Sequence, residues 1–261
     1  MTLRYDERII SQNLSITIPD GSFTVIVGPN ACGKSTLLRA LSRLILPSQG
    51  QVVLDGKNIH ASSAKHVARR LGLLPQSAVA PEGITVADLV ARGRYPHQSF
   101  LSQWSKADEE AVIAAMQATH VTDLSHRMVD ELSGGQRQRV WVAMVLAQET
   151  PILLLDEPTT FLDIAHQIEL MDLLADLNAQ GRTVVAVLHD LNQACRYASH
   201  LVAMKNGSII ASGHPQDIIN AQLIETVFDM PSMIIPDPIT NTPMVVPKSR
   251  RKLRSETMPV L

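Results

Sequence analysis

Residues 28 to 35 read Gly28-Pro29-Asn30-Ala31-Cys32-Gly33-Lys34-Ser35, two glycines with four residues between them, then a lysine and a hydroxyl. A turn of this kind offers successive backbone N–H groups to phosphate oxygens, and a helix starting behind it adds the positive end of its dipole. Lys34 brings a full charge to the outer phosphates of a polyphosphate, Ser35 an oxygen for a divalent cation, and Thr36 continues the first helical turn. Farther along, Ile152-Leu153-Leu154-Leu155 runs into the carboxylates Asp156 and Glu157. Beside a bound polyphosphate, Asp156 suits a cation and Glu157 suits a general base that takes a proton from the attacking water. Taken alone, such a pair can also cap the next helix. A third stretch, Leu132-Ser133-Gly134-Gly135-Gln136, opens a helix running through Trp141 with small residues, a hydroxyl and free N–H donors, which makes a second anion site.

These groups need elements to hold them. Phe23 to Val27 is an apolar, β-rich run ending in Gly28, and Ser35 to Leu46 has helical character closed by Pro47 and Gly50. Strand, loop and helix are therefore predicted around the phosphate loop. Before them, the alternation Leu14, Ile16, Ile18 predicts a further strand. Val52 to Leu54 followed by Asp55-Gly56 predicts a hairpin, and Leu71 to Leu74, ending at Pro75-Gln76, a short buried strand. Residues 77 to 135 change character to helices and loops, with Thr85 to Arg92 and Lys106 to Thr119 helical, the latter opened by Ser105 and acidic residues. From Gln136 helices alternate with apolar strands: helix to Gln148, strand Ile152 to Leu155, helix Ile164 to Gln180, strand Thr183 to Leu188, helix Leu191 to Ala198. That order predicts an α/β fold with parallel strands. A hairpin over Leu201 to Met204 and Ile209 to Ser212 and a helical segment to Phe228 follow. Prolines at 231, 236, 238, 243 and 247 predict an irregular stretch after Met230.

Composition narrows the function. The 261 residues are 45% hydrophobic and 18% charged, a globular balance. The first 247 carry 18 Lys and Arg against 24 Asp and Glu, because five basic residues (Lys248, Arg250, Arg251, Lys252, Arg254) crowd the tail 248–261. An acidic body with 3% aromatic residues disfavours a nucleic-acid surface. Apolar runs such as Val140 to Ala147 are far below a membrane span, no secretory signal is visible, and two distant cysteines suit a reducing compartment, so a cytosolic protein is expected. Cys32 reads as a packing residue of the loop, Phe161 and Trp141 as packing residues, and the histidines other than His189 as structural or solvated.

Together these residues resemble the ATPases of ABC transporters. Leu132 to Gln136 matches the family's signature sequence, and it precedes Asp156 at the distance those cassettes keep. Gln76 resembles the Q-loop glutamine, Thr160-Phe161-Leu162-Asp163 the D-loop, and His189 the switch histidine. Tyr5, upstream of the phosphate loop, is placed like the aromatic that stacks on adenine. The resemblance covers residues 1 to about 228. It implies a P-loop NTPase fold: a RecA-like core with an antiparallel β subdomain and an inserted helical subdomain over about 77–135, in a single domain 1–247. It also implies ATP with Mg²⁺ as cofactors, the cation held by Ser35, Gln76 and Asp156. Catalysis would fall to Lys34, Gln76, Glu157 and His189. A dimer would sandwich two ATP molecules, with Ser133, Gly134, Gly135, Gln136 and Asp163 serving the other subunit's nucleotide. Ala31 stands where many members carry a further glycine; a left-handed backbone there would cost alanine on the order of 1–2 kcal/mol, and it is expected to be tolerated. Only four residues precede Tyr5, so either the edge strand is shortened or the start given for the chain is late, and the adenine contact is the site most affected.

Within the superfamily, the stretch from Gln76 to Ser133 is too short for a long coiled coil, and one cassette in the chain argues against translation-associated members. A transport motor docking on separate membrane subunits, at the cytoplasmic face of the inner membrane, is the reading left. The stretches Pro81 to Val86, Arg92 to His97 and Leu188 to Ala194 resemble the ATPases of ferric-siderophore and ferric-citrate importers, a group that also serves cobalamin and haem. A soluble ABC ATPase outside transport is the competing class. Gly83 to Gln103 is the segment expected to meet the permease, and a solute-binding protein is implied beyond it.

Overall fold

The computed structural model describes residues 1–98 and 104–248. The chain opens with a two-stranded ribbon, β1 (Leu3–Tyr5) and β2 (Arg8–Ser11), and then extends to β3 (Phe23–Val27). Helix α1 (Lys34–Leu41) follows, then the hairpin β4 (Val53–Leu54) and β5 (Lys57–Asn58), helix α2 (Ala64–Ala68) and strand β6 (Leu71–Leu74). Helices α3 (Val86–Ala91), α4 (Lys106–Ala118) and α5 (Gly134–Ala147) lead to β7 (Ile152–Asp156), α6 (Ile164–Ala179), β8 (Thr183–Val187) and α7 (Leu191–Tyr197). The chain closes with β9 (His200–Lys205), β10 (Ser208–Gly213), α8 (Pro215–Ile218), α9 (Ala221–Phe228), β11 (Ser232–Pro236) and β12 (Pro243–Pro247).

Six strands form the central sheet in the order β10-β9-β3-β8-β7-β6, all parallel except the antiparallel edge β10. The middle strands β3 and β8 are buried at every residue, as strands covered on both faces must be. Alternate residues feed two cores. Val25, Val27, Leu153, Leu155, Val184 and Ala186 join one continuous cluster with α3, α4, α5 and α6. Ile26, Leu154, Val185 and Val187 face the other way, against Leu37 and Leu38 of α1.

Local chemistry sets the helix ends. Ser105 and Asp108 form a reciprocal capping box at α4, and Ser133 and Gln136 form another at α5. Behind α3, the guanidinium of Arg94 is buried and donates to Asp108 (2.8 Å), the Ala147 carbonyl and Glu149 (both 2.7 Å), tying the helical lobe to the end of α5.

Three expectations fail for identifiable reasons. Helix α1 stops at Leu41 rather than Leu46. Arg43 turns left-handed (φ 69°), its N–H bonds the Ala40 carbonyl at 3.1 Å, and the Leu44 N–H bonds the Arg39 carbonyl at 2.9 Å, a closed Schellman end. Leu14, Ile16 and Ile18 do alternate in burial, but they pack beneath the sheet and pair with no strand; Leu14 N–H reaches only the Met1 carbonyl. The proline-rich stretch is not irregular. It folds into the hairpin β11–β12 with Pro236 paired to Pro243 and Ser232 to Pro247, so the prolines of the pairing sit at the ends of an isolated ribbon. This ribbon clamps α7: Val245 exchanges hydrogen bonds with the Asn192 side chain, and Arg196 donates to Asp237 at 2.7 Å.

Candidate active site

Strands β3, β8, β7 and β6 are neighbours and point the same way, so the segments leaving their carboxyl ends meet on one edge of the sheet. Those segments carry the phosphate loop, His189, Asp156-Glu157 and Gln76. Ligand sites in open α/β sheets collect at this edge. A cavity of about 680 Å³ lies there, lined by Asn30, Ala31, Gly33, Lys34, Ser35 and Thr36 of the loop, by Gln76, Glu157 and His189, and by Tyr5 with Arg8 and Ile10 of the first ribbon.

The loop's shape follows from its residues. A side chain at Gly28 would put its Cβ 2.3 Å from the Met204 carbonyl oxygen, so only glycine lets the loop leave β3 there. Gly33, at φ 105°, is the left-handed residue from which α1 starts, leaving the N–H groups of its first turn facing the cavity. Ala31 is also left-handed at φ 60°, so the fold carries the strained alternative at that position. Cys32 is buried behind the loop, and burial pushes its thiol pKa up, which fits a packing residue. The Lys34 ammonium is buried and donates to the carbonyls of Gly28 and Pro29, both at 2.9 Å, which holds it over the loop.

Asp156 is buried at the end of β7 and accepts a hydrogen bond from Ser35 Oγ at 3.1 Å. Burial raises its pKa, and the Ser35 bond opposes that. A hydroxyl and a carboxylate so close, with the Gln76 amide on the same cavity, are the hard oxygen donors that Mg²⁺ takes when phosphates complete its shell. The set fits the ion. Glu157 follows in a left-handed conformation (φ 55°), which swings its carboxylate into the cavity, and its Oε1 lies 2.7 Å from His189 Nε2. Two groups able to hold and move a proton thus stand in contact beside the phosphate loop.

Tyr5 ends the three-residue strand β1 with its ring half exposed to the cavity and its hydroxyl accepting from Arg39 of α1 at 3.2 Å. Arg8, Ile10 and Arg39 were not singled out by the sequence. Arg39 lies one helical turn past Ser35, the spacing that would have flagged it. Ser133, Gly134, Gly135 and Gln136 open α5 and Asp163 caps α6; none of the five lines the cavity of its own chain. Neither Phe161 nor Trp141 lines the cavity; Trp141 is buried, while Phe161 is 76% exposed and lies over Gly134 and Gly135 at the start of α5.

Residues 11–160 match the family model described as ABC transporter. The chain belongs to the ABC transporter family. This ABC cassette is 60% identical over 251 residues to the ferric enterobactin transport ATP-binding protein of Escherichia coli strain K12, covering 96% of the chain and 93% of that relative. It is 54% identical to a siderophore transport system ATP-binding protein of Bacillus subtilis strain 168, covering 96% and 91%. Among solved structures, it matches the dimeric post-hydrolysis state of the cassette MJ0796 bound to ADP and Pi with a TM-score of 0.73 and 27% identity, covering 82% of the chain and 94% of that one. The cassette therefore binds ATP and hydrolyses it. Among the described residues, no helix is long and apolar enough to cross a membrane.

Proposed function

We propose that this cassette is the motor of a bacterial importer for ferric siderophores. It works as a homodimer docked on permease subunits at the cytoplasmic face of the inner membrane, with a solute-binding protein delivering cargo from the other side. The 60% identity to a ferric enterobactin transport ATP-binding protein across nearly the whole of both chains carries the cargo class. Residues 1–247 form the working unit, with the lobe of about 77–135 inserted in it. Gly83 to Gln103 meets the permease; its described part, 83–98, holds the exposed Tyr95, and 99–103, like the basic tail from 249, lie outside the described residues.

In the mechanism, the loop N–H groups and Lys34 bind the phosphates while Tyr5 stacks on adenine. Ser35, Asp156 and Gln76 would hold Mg²⁺, which would supply positive charge to the phosphate oxygens. Glu157 orients a water on the γ-phosphorus and takes its proton as the new P–O bond forms and the bond to the bridging oxygen breaks. His189, in contact with Glu157, holds that carboxylate in place. Ser133 to Gln136 and Asp163 complete the partner subunit's site, which explains a second anion-binding helix start remote from the cavity.

The deciding experiment is uptake of radiolabelled iron chelates by iron-starved cells whose cassette carries Glu157→Gln, across a panel that includes cobalamin and haem. Loss of uptake confined to one ferric siderophore is the expected result. Uptake of every ferric chelate at the unmutated level would overturn the cargo assignment, and loss of cobalamin or haem uptake instead would reassign it.

A further inference from the structure

Two hairpins of the chain turn in the same way. Asp55-Gly56 joins β4 to β5 and Asn206-Gly207 joins β9 to β10, each a two-residue loop with both residues left-handed: φ 51° and 75° in the first, 48° and 76° in the second. The twist of such a turn matches the strands it joins, and glycine is favoured at its second position. The surroundings of the two glycines differ. A Cβ added at Gly56 meets nothing within 4 Å. One added at Gly207 would stand 1.9 Å from the Ile10 carbonyl oxygen and 3.1 Å from Ser11 Cα, inside the backbone of β2. Backbone hand accounts for the glycine at 56, whereas Gly207 is also the point on which the first ribbon rests.

The same glycine reaches the phosphate loop. Its N–H donates to the Cys32 carbonyl at 2.9 Å, while Met204 of β9 stands behind Gly28, so the β9–β10 hairpin backs the loop at both ends. From the loop side, a Cβ at Gly33 would meet Ile10 Cγ2 and Ser11 Oγ at 3.3 Å and Gly207 Cα at 3.7 Å. Loop, ribbon and turn thus meet at Gly207. The ribbon has its base there, at Ile10 and Ser11, and its tip carries Tyr5 opposite Arg8 on the cavity. Because β9 and β10 belong to the six-stranded sheet and the ribbon is a separate two-stranded one, the ribbon is the part that yields when the contact is crowded. A shift at its base is carried to Tyr5.

We propose that Gly207 is a positioning residue that seats the ribbon against the phosphate loop. It sets the span between the base side of the cavity, Tyr5 and Arg8, and the phosphate side, Gly33 to Thr36. The inference rests on the reading above that Tyr5 stacks on adenine. It adds that a turn remote from the base fixes how far the base lies from the phosphates. A nucleoside triphosphate must satisfy both ends at once, whereas bare tripolyphosphate needs only one.

Full-length cassettes carrying Gly207→Ala, Gly207→Asn and Gly56→Ala, titrated with ATP and with inorganic tripolyphosphate in the presence of Mg²⁺, separate this from a merely structural role. Gly56→Ala carries the same left-handed strain without the collision. Asparagine tolerates the left-handed backbone better than alanine and still places a Cβ against Ile10, so Gly207→Asn reads the contact even where Gly207→Ala folds poorly. In both Gly207 variants Kd and KM for ATP should rise at least about tenfold, since a displacement of about 1 Å spoils a two-ended fit. Kd for tripolyphosphate and kcat at saturating ATP should stay within about twofold. Gly56→Ala should lower the melting temperature and leave ATP affinity within about twofold. Equal weakening of ATP and tripolyphosphate, wild-type ATP affinity in Gly207→Asn, or a matching ATP loss in Gly56→Ala would overturn the proposal. Tyr5→Ala tests the adenine reading separately. If it weakens ATP binding and Gly207→Asn does not, the positioning role alone falls. If it leaves ATP affinity unchanged, the adenine reading falls and the proposal with it.

Discussion

His189 Nε2 lies 2.7 Å from Glu157 Oε1, so the segments leaving the neighbouring strands β8 and β7 are joined by one side-chain contact at the mouth of the phosphate loop. The Glu157 side chain is only 13% exposed, and His189 is the partner that faces it from the solvent side at 48%. Thr160 Oγ1, 3.5 Å from Oε2, donates to the other oxygen of the same carboxylate.

Glu157→Gln should retain ATP binding while lowering turnover at least about 100-fold, the lower range for loss of a general base. Because the two side chains act as a unit, His189→Ala should also slow turnover, and the double variant should be no slower than Glu157→Gln alone. Single-turnover hydrolysis with equilibrium nucleotide binding checks this. Multiplicative losses in the double variant would separate the two roles.

Ala31→Gly should stabilise the chain by roughly 0.5–1 kcal/mol. Relief of a left-handed alanine is worth about 1–2 kcal/mol, and the greater freedom of glycine in the unfolded chain takes back part of it. In a chain of this size that is a rise of about 2 °C in melting temperature, read by thermal unfolding without nucleotide. A lower melting temperature would show that the loop relaxes away from φ 60° in solution.

Acid stability should depend on the C-terminal ribbon. Asp237 is held at a pKa of about 2 by the Arg196 side chain first, and then by the N–H groups of Ile239 and Thr240. Its folded pKa is below the unfolded value of about 4, so its contribution is present in full above pH 4 and is lost as pH falls toward 2. Denaturant unfolding of Asp237→Asn should therefore show a deficit against wild type that is constant near neutrality and closes between pH 4 and 2. A deficit unchanged at pH 2 would assign it to the turn geometry rather than to the charge.

The sequence carried most of the scaffold because the deciding signals were local. Phe23–Val27 and Leu71–Leu74 match their expected strands residue for residue, since a short apolar run between loop residues has few other ways to be buried. The phosphate loop, the Asp156-Glu157 pair and the helix start at Ser133 were legible for the same reason: their chemistry depends on order along the chain. What escaped depends on partners or on backbone hand. Leu14 to Ile18 carries the pattern of a strand and lacks only a neighbour to pair with. Helix α1 ends early because Arg43 turns left-handed, which arginine gives no sign of doing. The ribbon β11–β12 hid behind prolines that sit at its ends. Arg8 lines the cavity and Arg39 bonds the Tyr5 hydroxyl from α1, separate elements that only the fold brings together.

The same parallel run of strands that gathers the chemistry at one edge leaves the opposite edge without any. The turn at Asp20-Gly21 before β3 and the turn at Gly181-Arg182 before β8 lie there, stitched together by Asn178, which donates to the carbonyls of Gly21 and Arg182 at 2.9 and 2.7 Å. Gly21 and Gly181 are exposed, and a side chain added at either meets nothing within 4 Å. Grafted sequence, a fluorophore or a tether for immobilisation fits at these two points, leaving the nucleotide cavity open on the far side of the sheet.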